Sequence, residues 1–276
     1  IFNITFMVGT LINLLKLDFK RAIYNKRFLI VVLIGVLLSV AHFFMEVFPM
    51  INAYEGGSAI FNPFVKWIIY DDFSIYSLIF LLTLPVLASI PYSDSYWLDL
   101  NSGFAKSVYT RTKKSNYLIS RYITNFIIGG ICVVIPLIAS LYLLFITVPA
   151  VTPSIFSQTD RAKEMFCNIF YYHPYIYILI YLFMNFMFGG LYASIGLSVS
   201  RFCKNRFLVI GIPVLSYLSM YIFEIAGMPQ LVPAKFLSAY QSVLGINITS
   251  IITIFITLFV GSLILYVAGE KYDEII

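Results

Sequence analysis

The chain has 276 residues, of which 61% are hydrophobic and only 11% charged, and its mean hydropathy is +0.91. A soluble domain of this length needs charge to cover its surface, and 18 Lys+Arg with 13 Asp+Glu are too few unless much of that surface faces lipid. The composition excludes a soluble globular domain, a disordered chain and a secreted disulfide scaffold, and it points to an all-α polytopic membrane protein.

In chain order, the apolar opening of residues 1–10 is too short to span and has no basic leader of the signal-peptide kind. Residues 11–27 (LINLLKLDFKRAIYNKR) read as an amphipathic helix lying in the membrane plane. Ile12, Leu15, Phe19, Ala22 and Ile23 recur at helical spacing, while Lys16, Lys20 and Arg21 take other faces. Its expected membrane contacts are Leu15, Lys16, Phe19, Lys20 and Arg21.

A spanning helix rises about 1.5 Å per residue and needs about 20 apolar residues to cross a hydrocarbon core of about 30 Å. Six stretches qualify: 28–48, 73–91, 118–148, 175–200, 207–226 and 248–268. With six spans, all but four of the 18 Lys and Arg fall on one face of the membrane, the exceptions being Lys66, Arg161, Lys163 and Lys235. Basic residues near span ends are retained inside, so both termini are expected to be cytoplasmic. The net charge of +5 fits retention and an anionic inner leaflet; nucleic-acid binding would need one basic surface, whereas here the charge is divided among loops.

Trp67, Tyr70 and Trp97 flank the second span and read as interface anchors. The loops 49–72, 149–174 and 227–247 are too short for a folded domain, although 62–70 and 161–172 could form short helices over the outer mouth. Of the three cysteines, Cys132 falls inside a span and Cys167 and Cys203 on opposite sides, so none can pair within the chain. No Cys/His cluster has zinc spacing, and no metal site is expected. Gly189, Ala193 and Ser194 allow close helix approach, Asn125 and Asn185 suit interhelical hydrogen bonds, and Pro85, Pro136 and Pro213 are candidate kinks.

The segment between spans two and three, SDSYWLDLNSGFAKSVYTRTKKSNYLISRYI (93–123), carries the most information. Asp94 and Asp99 come first, Gly103 turns the chain, 104–112 can form a short helix, and Lys113-Lys114-Ser115 leads into span three. A mere connector could be as short as 201–206.

This order of parts resembles the ABC-2 type permease family, the membrane subunits of certain ATP-driven transporters. The likeness rests on the basic stretch LLKLDFKRAIYNKRF, the six spans, the acidic-then-Gly-then-basic run DLNSGFAKSVYTRTKKSNYLISRY, and the segment GMPQLVPAKFLSAYQSVLG before the last span. It implies that residues 1–276 form a single ABC-2 type transmembrane domain, with 11–27 as its elbow helix and a cytoplasmic coupling helix between spans two and three. It also implies that Asp99, Gly103, Phe104, Lys106, Arg111, Lys113 and Lys114 make or flank the contact with a separate ATPase, Asp99 standing where that family more often has Glu. The chain has no G-x-x-x-x-G-K-[ST] loop, so ATP and Mg would belong to the partner ATPase and this chain would bind no cofactor. The resemblance further implies a bacterial plasma membrane, a second permease subunit (a homodimer or a related chain) and an export pathway. A peptide such as an antimicrobial or toxin is the preferred cargo.

Ionisable groups inside spans are costly, by about 3 kcal/mol on insertion scales, so each calls for a reason. His42 and Glu46 stand one helical turn apart near the outer end of span one, and Glu224 lies near the outer end of span five. They either line an outer vestibule that meets cargo, or sit at interface depth and reach water or each other. Two other classes stay open. An ion-coupled secondary transporter would more often show internal repeats, and an intramembrane enzyme lacks convergent catalytic groups, since its only candidate bases beside Ser194 are His42 and His173.

Overall fold

The computed structural model describes residues 2–51, 61–71, 74–154, 165–203 and 205–273, with the backbone alone for 2–10 and 270–273. The described residues contain helices and no strand. Helix α1 (Phe2–Ile23) begins well before the expected start at residue 11. It stops at Asn25, whose extended backbone turns the chain and whose Oδ1 accepts from Arg27 N at 3.1 Å, capping α2 (Lys26–His42). The Asn25 amide also donates to Pro91 O at 3.1 Å, pinning this corner to the distant loop after the second apolar helix.

Helix α2 runs on through a π-helical turn, Phe43–Val47, into α3 (Phe48–Ile51). The later helices are α4 (Ile75–Ser89), α5 (Ser95–Asn101), α6 (Phe104–Tyr109), α7 (Lys114–Thr147), α8 (Cys167–Tyr172), α9 (Pro174–Val199), α10 (Arg206–Ser219), α11 (Ile222–Ile225), α12 (Pro233–Leu237) and α13 (Ile248–Asp273). Among the described residues, five helices are long and apolar enough to cross a membrane: Lys26–Ile51, Lys114–Thr147, Pro174–Val199, Arg206–Ile225 and Ile248–Gly269. The stretch read as span two is shorter. Ser74 caps α4 by accepting from Tyr76 N and Ser77 N, and turns after Ser89 end it. Its 15 residues cover about 22 Å at about 1.5 Å each, less than a hydrocarbon core of about 30 Å.

Helices α7 and α9 form the centre of the bundle, with α1, α2 and α4 against them, while α10 and α13 expose most of their apolar surface. Small residues bring the two central backbones together, as expected for Gly189 and Ala193. A Cβ on Gly129 would stand 2.4 Å from the Ala193 methyl, and one on Gly190 would stand 2.7 Å from Phe126 O. On the other side of α7, Gly35 lies against the Pro136 ring and Ser39 Oγ donates to Pro136 O at 2.8 Å. Helices α4, α7 and α10 continue through Pro85, Pro136 and Pro213. Asn185 donates to Leu237 O at 3.2 Å, and Asn125 Oδ1 accepts from Ser93 Oγ at 3.4 Å.

Two further expectations change. Trp67 and Tyr70 are not interface anchors, because both are buried: the Trp67 indole donates to Leu137 O at 3.1 Å, and Tyr70 stacks on Phe170 with centroids 5.2 Å apart. Residues 62–70 form successive turns rather than a helix, started by Asn62, whose Oδ1 accepts from Phe64 N and Val65 N. The helix expected over 161–172 is present from Cys167; residues 161–164 lie outside the described residues.

Candidate functional site

Two clusters of ionisable groups stand at opposite ends of α2. The first gathers where α1, α5 and the start of α7 meet. Helical spacing puts Asp18 and Arg21 on one face of α1, and Tyr117, Ser120 and Arg121 on one face of α7. Helix α5 brings Asp99 between them. Arg121 and Asp99 form a salt bridge, and Arg121 also lies 3.6 Å from Asp18. All three side chains are essentially inaccessible to solvent. Arg21 grips Asp99 through both guanidinium nitrogens, at 2.7 and 3.2 Å.

Hydroxyls satisfy the remaining lone pairs. Tyr117 donates to Asp99 at 2.6 Å, Ser120 donates to Asp18 at 2.6 Å, and Tyr92 donates to Asp18 at 3.4 Å while accepting from Arg121. Burial pushes the Tyr92 phenol up against the opposing pull of Arg121, so it keeps the proton it donates. Burial and the neighbouring Arg121 work against the Arg21 charge, but the hydrogen bond and the charge of Asp99, together with Tyr92, outweigh them and leave the guanidinium firmly protonated. Two carboxylates and two guanidiniums balance, which is the condition for burying charge at all.

Further ties converge on the same segment. Arg27 pairs with buried Asp94 at 2.5 Å, and the Arg21 guanidinium lies 4.4 Å above the Phe104 ring. Arg201, after α9, is sandwiched between Tyr96 and Tyr266 at 4.5 and 4.3 Å, joining α5 to α13. Gly103, at φ +74°, makes the left-handed turn from α5 into α6; nothing crowds its Cβ position, so the backbone itself requires glycine.

Of the residues expected to touch an ATPase, Lys106, Arg111 and Lys113 are exposed, and Gly103, Phe104 and Lys114 are half-buried. Asp99 points inward. On α1, Lys16, Lys20 and Arg21 are exposed and Leu15 half-buried. The apolar stripe is divided: Phe19 and Ala22 pack on the bundle, whereas Ile12 and Ile23 face out. Sequence reading passed over Asp18, which looks like part of an ordinary polar face; its i,i+3 spacing from Arg21 was the available signal.

The second cluster lies at the far end of α2. His42 Nε2 is 3.8 Å from Glu46 Oε2 and 3.7 Å from Asp71 Oδ2, and Lys66 Nζ is 2.9 Å from that same Asp71 oxygen. Burial alone would raise the Asp71 carboxyl; the neighbouring His42 imidazole and the Lys66 ammonium outweigh it and hold the group below the usual carboxylate range. Asp71 was not singled out from sequence, and Lys66 stood out only for its side of the membrane. Glu224 is not part of this set; it is partly exposed and faces Lys235 at 3.5 Å.

No family model, curated protein or solved structure matches the chain. The functional reading therefore rests on these two clusters and on the sequence pattern.

Proposed function

We propose that the chain is the permease subunit of a bacterial ABC exporter, six-spanning in the plasma membrane, with α4 and the turns that follow it making a short second crossing, and with both termini cytoplasmic. It would pair with a second permease copy or a related chain and with separate ATPase subunits that supply ATP and Mg. The observation that carries this reading is the buried network of Asp99, Arg121, Asp18 and Arg21. It fastens the segment between α4 and α7 to two long helices at once, and a loop that only connected spans would need no such anchorage.

A load applied at the exposed basic surface of α6 would pass through Asp99 to α1 and α7 as one unit. ATP-driven closure of partner subunits would then switch the packing of the permease and with it the access of the pathway. Lys106, Arg111, Lys113 and Lys114 supply positive charge to the docking surface, and Phe104 an apolar contact. The cargo we favour is a peptide, since a pathway lined by this composition would be apolar and aromatic. Isolation of the chain from native membranes with its bound proteins, followed by an ATPase assay, tests the reading. Co-purifying ATP hydrolysis that depends on Lys113 and Lys114 supports it, and its absence from a monodisperse, folded preparation overturns it.

A further inference from the structure

We propose that His42, Glu46 and Asp71 form a site for a divalent transition-metal ion, zinc above all, at the end of the bundle away from the Asp99 network. The three side chains each offer one donor atom, and all three donors lie within 4.8 Å of one another. Zinc bonds of about 2.0–2.2 Å in a tetrahedral arrangement place donors about 3.4 Å apart. The His42 nitrogen stands 3.7 and 3.8 Å from the two carboxylate oxygens, within a few tenths of an ångström of that spacing, and the two oxygens, no more than 4.8 Å apart, close on the ion by side-chain rotation.

His42 is the reason to look for a ligand. It is completely buried, neither ring nitrogen has a hydrogen-bond partner among the described residues, and Nε2 is directed at both carboxylates. A buried imidazole without a partner is costly unless something else meets it, and an ion between Nε2 and the carboxylates would do so. The backbone supplies an independent sign. The π-helical turn Phe43–Val47, closed by Phe48 N donating to Phe43 O, begins directly after His42 and carries Glu46 within it; such insertions in α-helices are frequent at functional sites.

The donor chemistry selects the ion. An imidazole with two carboxylates suits zinc and its first-row neighbours, whereas Mg and Ca prefer oxygen throughout. Three protein ligands leave one coordination position open. Lys66 is the resident competitor: its ammonium occupies the Asp71 oxygen that faces His42, and it must swing away when the metal enters. Its flexible, partly exposed stem and the partly exposed Glu46 give the ion a way in. The site would exist whatever the bundle transports.

The test is equilibrium binding of zinc to tag-free, metal-stripped protein in detergent or nanodiscs, with cobalt as a spectroscopic substitute. One zinc per chain is expected, together with intense visible cobalt bands of a tetrahedral site. His42→Gln, Glu46→Gln and Asp71→Asn should each weaken binding at least tenfold, Lys66→Met should tighten it, and Cys167→Ser and Cys203→Ser should leave it unchanged. A wild-type chain that takes up no stoichiometric zinc overturns the proposal. So does zinc binding that survives His42→Gln or is lost with the cysteines, and so does a Lys66→Met chain that binds more weakly than wild type.

Discussion

Asp99 and Arg21 meet through a two-pronged hydrogen bond, 2.7 and 3.2 Å, although 78 residues of chain separate them. The second oxygen of the same carboxylate also takes Arg121. One side chain on a seven-residue helix therefore holds both α1 and α7. Without Asp99, the buried Arg121 would keep, among the described residues, only Asp18, at 3.6 Å, as an anionic partner.

Asp99→Asn should accordingly be severe, costing about 3–5 kcal/mol because it strands a buried guanidinium. Arg121→Gln alone should cost a similar amount by leaving the buried Asp18 without its cationic partner, although Asp99 keeps Arg21. The double variant Asp99→Asn/Arg121→Gln should lose much less than the sum, with a coupling of about 1–3 kcal/mol. Thermal unfolding of all four proteins in one detergent measures this, and additive losses would mean the two groups do not act as a pair.

The exposed cations of the same segment should behave in the opposite way. Lys106→Glu, Arg111→Glu and Lys113→Glu alter residues outside the buried network, so each should move stability by no more than about 0.5 kcal/mol. On the proposed function, combining them should abolish recovery of the ATPase. Loss of ATPase without loss of folded permease is the expected outcome; full recovery of the partner by the triple variant would remove α6 from the docking surface.

How far the sequence could be read depended on what each pattern encodes. Apolar runs mark long helices well, because burying a backbone in lipid demands about 20 residues of one kind, and five such helices are present among the described residues. They do not mark where a helix is cut, so the Ser74 cap and the turns after Ser89 that shorten α4 went unseen. Aromatic composition is the same whether a ring faces lipid headgroups or a core, which is why Trp67 and Tyr70 were misplaced. The short helix after Gly103 was legible because Asp, Gly and the basic run follow one another locally, whereas nothing local marked Asp99 as turning inward. Its partners Asp18 and Arg121 and the approach of Asp71 to His42 were not legible, because such pairings depend on how helices cross, and one chain in isolation carries no periodic trace of that.

The glycines separate packing from propensity. Gly129→Ala should destabilise by at least about 1–3 kcal/mol, since its Cβ would meet the Ala193 methyl at 2.4 Å and the Ala88 and Gly189 carbonyls at 3.1 Å. Gly211→Ala, also inside a helix but with nothing within 4 Å, should instead be neutral or stabilise by up to about 1 kcal/mol. Equal effects in thermal unfolding would show that close approach of α7 and α9 is not what requires Gly129.

Glu224 provides the sharpest test of an outer vestibule, because its structural role is small. Its pairing with Lys235 is long, at 3.5 Å, and both side chains are substantially exposed, so the pair contributes about 0–1 kcal/mol at most. Glu224→Gln should therefore leave folding and association with the ATPase intact. If Glu224 meets a cationic part of the cargo during export, the same variant should slow transport by several-fold in proteoliposomes, and Glu224→Asp should restore part of the rate. Glu46→Gln should also slow transport, but there the loss should come with altered stability, because Glu46 belongs to the partly buried set around His42. Transport at the wild-type rate in Glu224→Gln would place this carboxylate on an ordinary wetted surface and remove it from the proposed vestibule.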